Sequence, residues 1–150
     1  MLSFDFKRYN AILGWLSFAI ALVTYILTLE PTVSYWDCGE YISTSVKLQV
    51  GHPPGAPLFQ MLGAFFALFT SDPTRIAYMV NFMSALASAF TILFLFWTIT
   101  TLGKKAVLKT TGEIGKSAGI AILGSGLVGA LAYTFSDSFW FSAVEAEVYA

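Results

Sequence analysis

In the stretch Ser34 to Ser43, SYWDCGEYIS, two carboxylates stand three residues apart, Asp37 and Glu40, soon after an apolar run that ends at Glu30-Pro31. Two kinds of chemistry are open to such a pair. A carboxylate within hydrogen-bond reach of a hydroxyl removes its proton as a general base. Two acids about one helical turn apart also disfavour each other's ionisation, which raises one of them toward a useful pKa. The same spacing makes a good helix start, with Asp37 capping a free N–H and Glu40 reaching back as in a capping box. A helix begun there is expected to run to about Val50, with Lys47 in its last turn, Gly51 left-handed at its end and Pro53-Pro54 forbidding continuation. On this reading Asp37 is the catalytic base, and Glu40 supports the helix start and the charge around it.

These acids keep aromatic company. Tyr35, Trp36 and Tyr41 surround them, and the sole histidine, His52, follows in GHPPGAP. Trp36, Tyr41, His52 and Pro53 are therefore candidate substrate-binding residues, although aromatics beside lipid also serve as interfacial anchors. A second acidic group, Glu145 and Glu147 in AVEAEVYA, completes the candidates. In a helix or a strand those two point to different faces, so at most one is expected to face a cleft shared with Asp37. Asp137 reads as a solvated end of an apolar run. Cys38, the single cysteine, has no partner for an internal disulfide and no spacing of a zinc signature. A carboxylate cluster can hold a divalent metal through oxygen ligands, but no ligand spacing is visible, and neither metal nor other cofactor is expected.

The elements that position these residues are apolar. Of 150 residues, 57% are hydrophobic and only 11% charged, which suits an integral membrane protein and not a soluble globule. A net charge of -1 without a basic, aromatic-studded face excludes nucleic acid as a partner. Three runs have the length of about 20 residues that a crossing needs: 9–29, 76–102 and 117–135. The first reads as a retained span and not a signal peptide. Residues 56–69 are apolar but short, and follow prolines, so they are expected to form a helix lying at or dipping into the interface. Small residues at four-residue spacing, Asn81, Ala85 and Ala89, then Ala121, Ser125 and Gly129, suit close helix packing in lipid.

Charge sets an expected topology. Lys7 and Arg8 and the loop 103–116, with Lys104, Lys105, Lys109 and Lys116, fall on one side if residues 56–69 do not cross, and that side is cytoplasmic. Residues 30–75 and the acidic segment 136–150 then share the non-cytoplasmic face. Residues 1–150 read as the N-terminal part of a single multi-span membrane domain, an all-α protein with about three transmembrane helices and juxtamembrane helices outside.

The motifs YWDCGEYI, GHPPGAPLF and FWFSAVEAEVYA, in this order, resemble the N-terminal part of a bacterial membrane-protein family of formerly unknown function. That family is similar to the eukaryotic transmembrane protein O-mannosyltransferases and to the wider C-type glycosyltransferases. The resemblance covers most of the chain from Tyr35 onward. It implies a polyprenyl-phosphate-linked sugar donor, a protein or glycan acceptor hydroxyl, and an active face on the non-cytoplasmic side of a bacterial inner membrane. It also implies that Asp37 matches the essential acid with Glu40 beside it, that Glu145 and Glu147 match a second acidic site, and that His52-Pro53-Pro54 line the pocket. Family members carry many more spans, so the partners include the remaining spans of a longer chain, and this stretch alone is expected to be inactive. Two other readings stand beside it. A transporter or channel subunit wants acids inside its spans, and these three hold none. A structural membrane subunit needs only the small-residue stripes, with the acids as caps.

Overall fold

The structure is a computed structural model that describes residues 4–53 and 55–148. Those residues are helical or irregular: α1 (Phe6–Leu27), α2 (Cys38–Lys47), α3 (Pro57–Ala67), a 3-10 turn (Pro73–Arg75), α4 (Ile76–Thr111), α5 (Lys116–Thr134) and α6 (Asp137–Ala143). Three helical stretches, Phe6–Leu27, Pro73–Thr111 and Lys116–Thr134, are long and apolar enough to cross a membrane. The chain is an all-α integral membrane protein. The 11 residues of α3 reach only about 16 Å at the α-helical rise, half the hydrocarbon thickness. Pro57 opens α3, where a missing N–H costs nothing.

Two boundaries differ from the sequence expectation. Most of the stretch expected as a loop from Gly103 is helix, because α4 continues to Thr111 and only residues 112–115 separate it from α5. One glycine in a long run of good helix formers does not break it, and Gly112, at φ 78, ends it instead. In α2 the end comes early. Leu48 takes the left-handed conformation at φ 48, its N–H bonds Ser45 O, and Gln49 N–H bonds Thr44 O. That is the double bond of a Schellman close, made with Leu in place of the usual glycine.

By internal contacts the residues fall into two compact units. The first contains α1 through Ala21, α4 from Ala89, and α5. Here α4 meets α5 at Gly126, where an added Cβ would stand 2.6 Å from Thr100 Cγ2. The packed face of α5 is Ile122, Gly126 and Ala130; of the expected stripe, Ala121 and Ser125 are exposed, while Gly129 lies against Ile99. On α4, by contrast, Asn81, Ala85 and Ala89 are all buried. Lys104 Nζ sits 5.9 Å over the Phe6 ring, and Gly119 lies against Phe4. The start of α1, the late turns of α4 and the start of α5 thus gather, and their lysines share one end of this unit.

The second unit contains residues 22–88 and those from Asp137 onward. Cys38, Ile42, Val80, Met83 and Ala146 form its core. Buried Asn81 donates to Glu30 O (2.7 Å) and Thr32 O (3.0 Å), and Glu30 N–H donates to Val144 O (3.0 Å). These bonds tie the loop carrying Asp37 to the segment carrying Glu145 and Glu147. Helices α2 and α3 touch at Gly63, where a Cβ would lie 2.7 Å from Ser45 Oγ, and Gln60 Nε2 donates to Thr44 Oγ1 at 3.1 Å. Gly63→Ala is expected to overpack this contact at a cost of about 1–3 kcal/mol, read as a lower melting temperature of the detergent-solubilised protein. Combining it with Ser45→Gly should cost less than the two single changes added, whereas strict additivity would show that the helices do not meet there.

Candidate functional site

The site begins with a strained residue. Trp36 has φ 59 and is 88% exposed, and it turns the chain so that Asp37 occupies the N-cap position of α2 in the αR region, at φ -83 and ψ -2. Capping residues normally hold β-region angles, from which the side chain folds back onto the first turn. Asp37 accordingly makes no side-chain cap bond. The expected capping box is absent for a second reason. Glu40 does not reach back; it reaches forward twelve residues, Oε1 accepting the His52 backbone N–H at 2.7 Å and Oε2 lying 3.0 Å from Nδ1. Gly51 makes room for this, since a Cβ there would stand 3.1 Å from Glu40 Oε1. Its value lies in the missing side chain, and the left-handed residue of this segment is Leu48.

A carboxylate only accepts hydrogen bonds, so His52 Nδ1 carries the proton and Nε2 is turned toward Asp37, 3.9 Å from Oδ2. The His52 backbone N–H, then its ring, holds the Glu40 carboxyl below the usual carboxylate range. In return the bond and charge of Glu40, with Asp37 adding to them, raise the His52 pKa above 6.5. The expected mutual raising of Asp37 and Glu40 is thus replaced, at Glu40, by a downward shift.

Trp36, Asp37, Tyr41 and His52 line one side of a cavity of about 270 Å³, faced by Gly55, Ala56, Glu147 and Val148. Tyr41 stacks edge-on against Phe59 of α3 at 5.5 Å, which fixes the far wall. An apolar groove of about 320 Å³ adjoins it, walled by Leu58 and Leu62 of α3 and Met83 and Ser84 of α4, and sharing Ala56, Glu147 and Val148. Of the residues singled out in the sequence, Glu40 stands behind His52, Pro53 is exposed and off the wall, and Pro54 lies outside the described residues.

Glu145 and Glu147 sit in neither helix nor strand. A tight turn, with Glu147 N–H on Glu145 O at 2.8 Å, brings both side chains to one place, where carboxylate oxygens of each and Cys38 Sγ lie within 4.8 Å of one another. Only Glu147 reaches the cavity wall, while Glu145 is 3% exposed beneath it. Burial, then the Glu145 charge, pushes the Glu147 carboxyl up. Burial, then both glutamates, pushes the Cys38 thiol up to about 12. Sequence reasoning set Cys38 aside, and its position next to Asp37 in the chain was the available signal.

The Glu40–His52 pair has a pH window with a defined sign. The raised histidine contributes fully below its unfolded value of 6.5 and loses that contribution as pH rises through its higher folded pKa. The lowered carboxylate contributes above 4.5 and loses it as pH falls through its lower folded pKa. The loop closure is thus strongest between about pH 4.5 and 6.5. Proton-detected titration of His52 should give a midpoint above 6.5, and Glu40→Gln should bring it down toward that value; an unchanged midpoint would show the pair unformed.

The comparisons with known proteins agree with this arrangement of motifs. The family model described as protein O-mannosyl-transferase TMEM260 N-terminal domain matches residues 37–150. Protein O-mannosyl-transferase tmem260 of Dictyostelium discoideum is 29% identical over 135 residues, covering 89% of this chain and 14% of that protein. Protein O-mannosyl-transferase TMEM260 of Mus musculus is 32% identical over 133 residues, covering 88% of this chain and 16% of that protein. No solved structure matches the chain. A match that starts at Asp37 and takes in both acidic groups, α3 and two of the spanning helices settles the family: the chain belongs to the protein O-mannosyl-transferase TMEM260 N-terminal domain family.

Proposed function

We propose that this chain is part of a membrane glycosyltransferase that moves a sugar, mannose by the names of its relatives, from a polyprenyl-phosphate-linked donor to an acceptor hydroxyl of a protein Ser or Thr. The observation that carries the reading is Asp37: an acid at a helix N-cap that forgoes the cap, accepts no side-chain hydrogen bond there, and opens onto a cavity beside a histidine. Its neighbours are committed elsewhere, Glu40 to His52 and Glu145 to the interior. Asp37 takes the proton of the attacking hydroxyl as general base. His52, whose pKa Glu40 raises, is the group lining the cavity among the described residues that can carry positive charge, and in that form it offsets charge as the lipid phosphate departs.

Two adjoining compartments support the donor class. A lipid-linked sugar has a polar head and a hydrocarbon tail, and the acidic cavity opens along Ala56, Glu147 and Val148 onto an apolar groove between α3 and α4. The exposed side chains of α3, Leu58, Met61 and Phe65 among them, and Phe69 just beyond it, suit contact with lipid. The lysines that share one end of the first unit favour a cytoplasmic location for that end, and the alternation of spans along the chain then favours a non-cytoplasmic location for the acids. The transporter reading loses ground because α1, α4 and α5 contain no Asp or Glu.

Asp37→Asn in the full-length protein separates the base from a cap, because Asn caps helices as well as Asp but cannot accept the proton. Membrane abundance and melting temperature should stay unchanged while transfer falls about 10²–10⁴-fold, the usual worth of a general base. Transfer at the parent rate would return Asp37 to a structural role.

A further inference from the structure

The start of α1 and the late turns of α4 enclose a second pocket, of about 280 Å³, within the first unit. Phe6, Lys7 and Asn10 of α1 wall it on one side, and Thr100, Thr101 and Lys104 of α4 on the other. One turn deeper the two helices are held together, for Gly14 lies against Trp97, whose Nε1 donates to Asn10 O at 3.3 Å. Lys104 Nζ stands 5.9 Å over the Phe6 ring, an attraction that keeps the ammonium at the pocket.

The charge brought here has no answer in the protein. The ion pairs of the described residues are His52 with Asp37 and with Glu40, and Arg75 with Asp72, so neither Lys7 nor Lys104 has one. Asp5, the acid nearest in the chain, accepts the Arg8 backbone N–H at 3.1 Å. Two solvated lysines alone would call for no ligand, but the wall between them also holds an unfinished group: Asn10 Oδ1 is buried without a hydrogen-bond partner. A buried polar atom in that state asks for a donor from outside the fold.

Depth and shape identify the donor of that bond as a lipid. Lys7 and Arg8 border the uncharged run 9–29, and Lys104 borders the uncharged run 76–103, which puts the pocket at the level of the headgroups. Thr101 belongs also to an apolar groove of about 270 Å³, lined by Phe94, Trp97, Thr98 and Leu102, that runs back along α4 into the uncharged run. A free phosphate would use the lysines and leave the groove empty. A neutral lipid would fill the groove and leave the lysines unanswered. The geometry points to a binding site for one anionic phospholipid, its phosphate between Lys7 and Lys104, a headgroup hydroxyl on Asn10 Oδ1 and an acyl chain along the groove. No residue of the candidate site takes part, and the proposal does not rest on the transfer reading.

Full-length protein is delipidated in a neutral detergent and titrated with phosphatidylglycerol or phosphatidylethanolamine, and bound lipid is counted by native mass spectrometry. The parent should hold one tightly bound phosphatidylglycerol that phosphatidylethanolamine does not replace, a comparison that needs no variant. Equal binding of the two lipids would overturn the site. Each of Lys7→Gln and Lys104→Gln should weaken that binding about 5-fold, whereas Lys105→Gln with Lys109→Gln, an equal loss of charge off the pocket, should leave it unchanged. An equal loss in both sets would show diffuse attraction to the surface and overturn the pocket. Millimolar inorganic phosphate should not displace the lipid; displacement would make the occupant a free anion and overturn the lipid assignment.

Discussion

Glu40 receives two hydrogen bonds from one residue, the backbone N–H and the ring Nδ1 of His52, and the shape of the site depends on that double contact. It closes the segment after α2 into a loop whose far end presents Nε2 to Asp37. Each local irregularity along the loop serves it. The left-handed Leu48 turns the chain back, and Gly51 removes the side chain that would crowd the Glu40 carboxylate. A helix that ran on to Val50 would carry His52 away from both acids. Both partners lie near the surface, so solvent screens the charge between them, and the backbone N–H bond matters because it survives when the ring loses its charge.

A second set of bonds brings in the rest of the acids. Buried Asn81, on a membrane-spanning helix, holds the start of the loop by the carbonyls of Glu30 and Thr32, and Glu30 in turn holds Val144. A spanning helix thereby serves as a rigid post for two irregular segments that have little regular structure of their own, which is how sites built on loops acquire precision. The result is a polar cavity with two acids and one histidine, next to an apolar groove that shares its wall. The proposed donor, half sugar and half hydrocarbon, calls for mixed surroundings of this kind.

Much of this was legible in the sequence because hydropathy and chain length act locally. The three long apolar helices and the short α3 follow from run lengths, and Asp37, His52 and Glu147, chemistry-bearing residues in apolar company, line one cavity. What failed depends on contacts across the chain. Glu40 three residues after Asp37 fits a capping box, and only the fold reveals that a backbone N–H twelve residues on competes for the same carboxylate. Glu145 and Glu147 were separated by assuming a helix or a strand, whereas a tight turn with a 2.8 Å bond brings both to Cys38. Of the stripe expected on α5 only Gly129 packs, because spacing gives a period without a phase, and the phase is set by Thr100, Phe96 and Ile99 of the facing helix.

The proposed function requires a pocket that accepts a lipid-linked sugar, so the decisive measurement varies the donor. Membranes containing the full-length protein are given labelled mannose either on polyprenyl phosphate or on a nucleotide, with lipid-linked sugar synthesis blocked, and label on protein Ser and Thr is counted. Label should pass to protein from the polyprenyl phosphate donor and not from the nucleotide. Equal or preferential transfer from the nucleotide would contradict the pairing of acidic cavity and apolar groove on which the proposed function stands.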